Sequence, residues 1–288
     1  MMNVIANKFA ELPAEFAYRA ERAKHLRNLP PLKAQEQQWL DALEQEGACI
    51  TSLEELGFDS GDRLLTTAQK YLKQMDAIAA ATANQLPQIF TVTDLPEFYN
   101  WGSEPRLLNL IEHYIGLPIA FHGVHLRKDF AGDKPTPTQN WHLDAEDRRI
   151  LKAIVYLNDV TEQTGPFEYI PKSLTAPYQP AFWKIYWQNK QRGFLGVENE
   201  AIAKILPRSA WKLCPGKKGT VILVDTRQVF HHGTLRTEDR SALFFVYTAK
   251  HPQHPELCTQ YHDHTFARPA GVGSGEWGVG SREWGVDG

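Results

Sequence analysis

Four short patches carry the residues whose chemistry stands out. Trp141-His142-Leu143-Asp144 places an imidazole and a carboxylate one residue apart, and Phe230-His231-His232-Gly233 offers further imidazoles, with Arg240 shortly beyond. Side chains two apart on an extended chain project the same way, so His142 and Asp144 can chelate one ion. A histidine from a distant strand would complete one face of an octahedron. Two neutral imidazoles and one carboxylate suit Fe(II) and leave three adjacent positions for other ligands. A guanidinium deeper in such a site can hold an anionic cosubstrate through a bidentate pair. Earlier in the chain, His125, Arg127 and Asp129 alternate with Leu126, Lys128 and Phe130. A polar set at alternate positions reads first as a solvent face. If it lined an interior instead, His125 and Arg127 would be cofactor-binding or would meet an acidic substrate.

The elements that must position these residues fall into two textures. Residues 1–118 read mainly as helix: Phe16, Ala20 and Ala23 form one stripe, and Trp39, Ala42 and Leu43 another. Ser60 or Asp62 caps a third helix through Leu64, Leu65, Ala68, Leu72 and Met75, and a fourth over Arg106–Ile115 stops at Gly116 with Pro118 beyond. A short strand is expected in Gly47–Ser52. From about 119 to 250, short runs rich in Val, Ile, Phe and Tyr follow each other: Ile119–Phe130, Lys152–Leu157, Phe167–Ile170, Thr220–Val224, Val229–His232 and Ala242–Thr248. No helix of crossover length separates most of them, so antiparallel pairing is expected. An insertion at 174–210 carries Phe182, Trp183, Tyr186 and Trp187 and a second helical piece near Ala201–Leu206. The expected fold is mainly β with flanking helices, a jelly roll buttressed by the N-terminal helices. Residues 1–270 are expected to form one domain. Residues 271–288, which hold seven of the 20 Gly and repeat with period seven, read as a disordered tail.

Composition excludes several classes. With a net charge of −3, no broad basic field exists for nucleic acid. No apolar run approaches the roughly 20 residues of a membrane span, and the N-terminus lacks the features of a signal peptide. Three scattered cysteines, Cys49, Cys214 and Cys258, suggest no disulfide framework, so a reducing, cytoplasmic setting is expected. His251, His254, Cys258, His262 and His264 form a rival metal-binding cluster, but Pro252 and Pro255 break its spacing, and a polar exposed segment is the preferred reading. No Gly-rich phosphate loop and no Gly-x-Ser-x-Gly elbow is present.

The ordered set GVHLRKDF, NWHLDAEDRR, KAIVYLNDVTEQTGPFEYIPKS, GTVILVDTRQVFHHG and RSALFFVYT resembles the phytanoyl-CoA dioxygenase-like branch of the Fe(II)/2-oxoglutarate-dependent oxygenases over roughly 105–250. GACITSLEELGFDS is similar to that family's N-terminal entry, less specifically. The resemblance implies a double-stranded β-helix with His142 and Asp144 as the first two iron ligands. The third falls in His231-His232-Gly233: the His-x-Gly arrangement of part of the family selects His231, our expectation, whereas a direct His-Gly pair would select His232. Strand parity admits only one of them. Arg240 would pair with the distal carboxylate of 2-oxoglutarate, with Arg236 a second candidate. Trp141 and Trp183 would wall the substrate pocket, or pack as core. The implied activity uses Fe(II), 2-oxoglutarate and O2 to hydroxylate an unactivated C–H bond of a small organic or lipid-like molecule, releasing succinate and CO2. Because related halogenases lack the carboxylate ligand, Asp144 implies hydroxylation or desaturation, not halogenation. A cupin-like metalloenzyme without 2-oxoglutarate, or a non-catalytic jelly-roll binding protein, are the alternatives.

Overall fold

Among the described residues, nine strands pair to decide which side chains can meet. The computed structural model describes residues 2–82, 86–132, 139–193, 196–261 and 265–270, with side chains from 14 onward. Strands β1 (Ala48–Ser52), β2 (Gln88–Thr91), β3 (Ile119–Asp129), β4 (Leu151–Tyr156), β5 (Phe167–Tyr169), β6 (Lys212–Cys214), β7 (Thr220–Asp225), β8 (His231–Gly233) and β9 (Arg240–Ala249) form two sheets. One is six-stranded in the order β1-β7-β4-β9-β3-β2, and the other three-stranded in the order β6-β5-β8. Every ladder between these strands is antiparallel, as expected where no helix is available to cross between them.

The large sheet is buried on both faces. Leu151, Ala153 and Val155 of β4 and Leu243, Phe245 and Tyr247 of β9 pack against the helices, with Trp39, Leu64, Trp101 and Ile111. The alternate residues Ile154, Tyr156, Ile222, Val224 and Ala242 face the small sheet, meeting Phe167, Tyr169 and Cys214. Two-sided burial explains why the strands read as nearly continuous apolar runs. Truncating a fully buried aromatic such as Phe245 to Ala costs about 3–5 kcal/mol.

The helices are α1 (Met2–Leu26), α2 (Ala34–Glu46), α3 (Leu53–Leu56), α4 (Gly61–Thr82), α5 (Pro96–Gly102) and α6 (Pro105–Ile115), then α7 (Lys172–Thr175), α8 (Pro180–Gln191), α9 (Asn199–Ala203) and α10 (Pro255–Cys258). Helix α6 stops where the sequence places its stop: Gly116 has φ 79° and its N–H bonds to Glu112 O. A Cβ there would fall 2.5 Å from Arg22 Nε, and Arg22 donates to Ile115 O, so this end of α6 also seats α1. In α4, Leu64, Ala68, Leu72 and Met75 are the buried stripe.

Two departures from the sequence reading matter. The helical N-terminal part supplies both edge strands of the large sheet, and only β1 is anticipated; β2 (Gln-Ile-Phe-Thr) is too short to register as a strand on pattern alone. The chain beyond 250, expected within the 1–270 domain but as a polar, exposed segment, buries Cys258 and Tyr261. Phe90 forms a parallel bridge with Ala267, Thr91 N–H bonds to Ala267 O, and Ala270 N–H bonds to Gln74 Oε1. The 271–288 repeat, His262 and His264 lie outside the described residues. Among the described helices, none is long and apolar enough to cross a membrane. Cys49, Cys214 and Cys258 are free and buried.

Candidate active site

The strand-edge patches converge at one end of the space between the sheets. His142 and His231 exchange reciprocal backbone bonds, each 3.1 Å, and Asp144 N–H bonds to Thr226 O. This brings their side chains together: one ligand atom from each of His142, Asp144 and His231 lies within 4.8 Å of the others. His142 Nδ1 lies 2.8 Å from Asn140 O and His231 Nδ1 3.2 Å from Val229 O. Only a protonated Nδ1 can bond to a carbonyl, so the Nε2 of each ring is the nitrogen left to act as a ligand. Those nitrogens face Asp144 Oδ1 at 3.8 and 4.0 Å, too long for hydrogen bonds and short enough for one ion between them. The donor set, two imidazole nitrogens and one carboxylate oxygen with fixed tautomers, fits a non-haem iron facial site.

Asp144 has a second neighbour that the sequence reading missed. Lys152, half-buried on β4, places Nζ 2.7 Å from Asp144 Oδ2. Burial works against the carboxylate's charge, yet Lys152, His231 and His142 hold its pKa well below the usual range; Asp144 in turn holds the Lys152 ammonium charged despite burial. Burial, with His142 beside it, lowers His231 to about 3, so its ring is neutral at pH 7. Only the parity of Lys152 with Ile154 and Tyr156 signals its inward position, because KAIVYL otherwise reads as an apolar strand.

Strand parity also separates the two competing histidines. His232 points the other way, with Nδ1 2.8 Å from Gln139 O and Nε2 2.8 Å from Glu168, and stacks 4.1 Å from the Trp141 ring. Both its nitrogens are taken, whereas His231 Nε2 faces Asp144.

A cavity of about 370 Å³ opens beside these groups. His125, Arg127, Lys152, Tyr156, Phe167 and Arg240 line it, together with Gln260, Tyr261 and Phe266 from the C-terminal segment. His125 and Arg127 therefore do not form a solvent face. The helix-side partners of β3, Val124 and Leu126, are fully buried, and the polar residues turn inward. Asp129, directly across from Arg240 in the β3–β9 ladder, is the hub of a second cluster. Arg127 Nε reaches its Oδ1 at 2.8 Å, Arg236 Nη1 the same oxygen at 2.9 Å, and Arg240 Nη2 its Oδ2 at 2.8 Å. Burial opposes its charge, but Arg240, Arg127 and Arg236 hold its pKa at about 2. Arg240 also donates to Gly165 O. Two buried guanidiniums, Arg236 and Arg240, share one carboxylate, which leaves positive charge over.

Trp141 and Trp183 do not wall this cavity. Trp141 is fully buried on Trp211, its Nε1 bonded to Asn199 Oδ1 at 2.7 Å, and it pins the insertion to the small sheet. Trp183 is 41% exposed on α8 and bonds to Pro177 O. The walls come instead from the C-terminal segment, tied to the loop that carries Asp144: Tyr261 donates to Glu146 at 2.7 Å, and Asp147 accepts from Ala249 and Gln253 N–H. Within the rival histidine cluster, His254 lies against Glu256 and Cys258 is buried, and no second metal-binding group occurs among the described residues.

The fold is shared with solved structures that hold iron, or nickel and 2-oxoglutarate, and with an alpha-ketoglutarate-dependent epimerase. EctD from S. alaskensis with bound Fe aligns at TM-score 0.55 with 20% identity, covering 84% of this chain and 88% of that one. HygX from Streptomyces hygroscopicus with nickel and 2-oxoglutarate aligns at 0.51 and 16%, covering 76% and 88%. SnoN, a non-heme alpha-ketoglutarate-dependent epimerase from nogalamycin biosynthesis, aligns at 0.51 and 15%, covering 82% and 90%. No curated protein sequence matches the chain. The phytanoyl-CoA dioxygenase (PhyH) family profile matches residues 34–242, and with most of the chain covered the protein belongs to that family.

Proposed function

We propose that the protein is an Fe(II)- and 2-oxoglutarate-dependent dioxygenase that hydroxylates a C–H bond of a small molecule. The observation that carries this reading is the pair of Nδ1-anchored histidines whose Nε2 lone pairs meet Asp144 Oδ1 at the cavity wall. His142, Asp144 and His231 would hold the iron. When bound, iron and 2-oxoglutarate supply the oxidising power, with O2 as oxidant and succinate and CO2 as by-products.

The chain's own residues supply the rest. Arg240 commits three of its five N–H donors, to Asp129 and Gly165, and leaves two for an anion in the cavity. The excess positive charge around Asp129 favours an anionic cosubstrate at that end. Lys152 occupies Asp144 Oδ2 and so leaves Oδ1 for the metal. Phe244, Val246, Phe167 and Ile154 keep the remaining wall apolar and limit water.

Anaerobic addition of Fe(II) and 2-oxoglutarate should give a weak visible charge-transfer band. Succinate release against metabolite extracts, with His142→Ala as blank, should accompany a product heavier by one oxygen. No band and no succinate would overturn the assignment. A product of unchanged mass with succinate released would keep the cosubstrate and remove hydroxylation, a real alternative because SnoN is an epimerase. Unchanged 2-oxoglutarate affinity in Arg240→Ala would favour a cupin-like enzyme without that cosubstrate.

A further inference from the structure

His125 sits on β3 at the cavity wall, 9% exposed; its ring is hydrogen-bonded to the Gln260 backbone, and its Nε2 is a buried nitrogen with no partner within hydrogen-bond distance. A buried polar atom left unmatched costs free energy on the order of a lost hydrogen bond, so such an atom on a residue of the cavity wall points to a ligand. The ring is not loose. Tyr261 packs 5.2 Å from it and Phe266 meets it edge-on at 4.9 Å. Both aromatic residues come from the C-terminal segment, beyond the 34–242 stretch that matches the family. Tyr261 is itself pinned to Glu146, two residues past Asp144. The clamp on His125 therefore comes from the C-terminal segment, and it is referenced to the loop that carries the proposed metal-binding carboxylate.

We propose that His125 Nε2, positioned by Tyr261 and Phe266, recognises an uncharged hydroxyl or amide group of the substrate. This rests on the oxygenase reading for what happens next to that substrate, but not for the contact itself. The charge pattern selects the neutral group. Burial, with Lys152 and Arg127 nearby, lowers His125 to about 4, so the ring is neutral and forms no ion pair with a carboxylate. The same two cations repel an ammonium. Thr226 Oγ1, also buried, unpartnered and on the cavity wall, offers a second uncharged polar contact. The apolar surface around them, Ile89, Phe244 and Phe266, suits a hydrocarbon frame. The inference moves His125 from the cosubstrate to the substrate side of the cavity.

The test is a binding experiment on the full chain with histidine labelled with 15N, using cyclohexanol, cyclohexylamine, cyclohexanecarboxylate and methylcyclohexane as probes. Cyclohexanol should move the His125 Nε2 resonance saturably, and the ammonium, carboxylate and hydrocarbon probes should bind about five-fold or more weakly, the worth of one neutral hydrogen bond. His125→Phe, which keeps a ring between Tyr261 and Phe266, should lose that preference, and His125→Gln should retain it. Phe266→Ala should weaken cyclohexanol while leaving the His125 resonance present but broadened. An ammonium or carboxylate that binds as well as the alcohol would overturn the proposal, as would no probe-induced shift or an unchanged preference in His125→Phe. Because the probes need neither iron nor 2-oxoglutarate, this outcome stands apart from the charge-transfer test: a preference with no band would sink the oxygenase reading alone.

Discussion

Two carboxylates lie inside the same barrel, Asp144 half-buried on the cavity wall and Asp129 buried behind Arg127 and Arg240, which line that cavity, and both face cations. Asp129 is held by three guanidiniums, permanent charges that a proton cannot remove, and its pKa lies at about 2. Asp144 has one ammonium on Oδ2 and two imidazole Nε2 atoms turned toward Oδ1. The Asp129 cluster is a structural clamp with charge left over for an anion. The Asp144 cluster is unfinished on one side, where lone pairs from three residues converge. A buried carboxylate becomes a ligand when its neighbours offer electron pairs, and a girder when they offer only protons.

The contrast is broken most directly by removing one member of each cluster. Asp129→Ala leaves buried guanidiniums uncompensated and should cost about 3–5 kcal/mol, read as a fall in the denaturant midpoint. Lys152→Met should destabilise the metal-free protein similarly by stripping Asp144 of its cation. Here the regions should part: Ni(II) or Fe(II) should restore stability to Lys152→Met, with a larger thermal upshift than in the wild type, and should not rescue Asp129→Ala. Equal rescue of both variants would erase the distinction. Next in size, His142→Ala combined with Asp144→Ala should weaken metal binding by more than the roughly 10–100-fold that loss of an outer partner costs. Stoichiometric binding that survives would move the metal elsewhere. Arg240→Ala should weaken 2-oxoglutarate by about 10–100-fold, the worth of charge-assisted hydrogen bonds, measured by calorimetry with Ni(II).

The smallest effect concerns pH. His125 has its folded-state pKa lowered by burial to about 4, below the 6.5 of an open chain. As pH falls from 6.5 toward 4 the unfolded chain takes up the proton first, so stability is lost across that window, about 2 kcal/mol between pH 7 and 5. Asp225 works the other way: burial raises it to about 6, so the folded state takes up its proton first and gains stability as pH falls from 6 toward 3.8. His125→Phe should therefore lose less stability than the wild type between pH 7 and 5. An identical pH slope in the two proteins would contradict the buried neutral ring.

Much of the Asp144 end is legible in the chain, because His-x-Asp and His-His-Gly sit at strand edges where spacing alone fixes which side chains meet. The jelly-roll order is legible for the same reason, from short β-rich runs with no helix to carry a crossover. The Asp129 end is less so. Alternation separates His125, Arg127 and Asp129 from Leu126 and Lys128, but parity says only that the two sets face apart, and both faces of β3 turn out to be covered. Lys152 hides in an apolar run. The walls supplied by Tyr261 and Phe266 come from a polar segment with no periodicity, whose position depends on bonds to Glu146 and to the β2 edge. Trp141 and Trp183 mislead because aromatic bulk signals burial or exposure equally well, and only the packing of the insertion settles which.

The reciprocal backbone bridge between His142 and His231 carries a consequence for how the molecule is made. The two residues are far apart in sequence, with the insertion and four strands between them, so their meeting closes a long loop that no local contact can replace. Contacts of such separation form late and slowly. If His142, Asp144 and His231 hold the metal as proposed, a chain that has not finished folding has no complete ligand set, and metal uptake becomes a certificate of assembly, stabilising only molecules that have already brought these strands together.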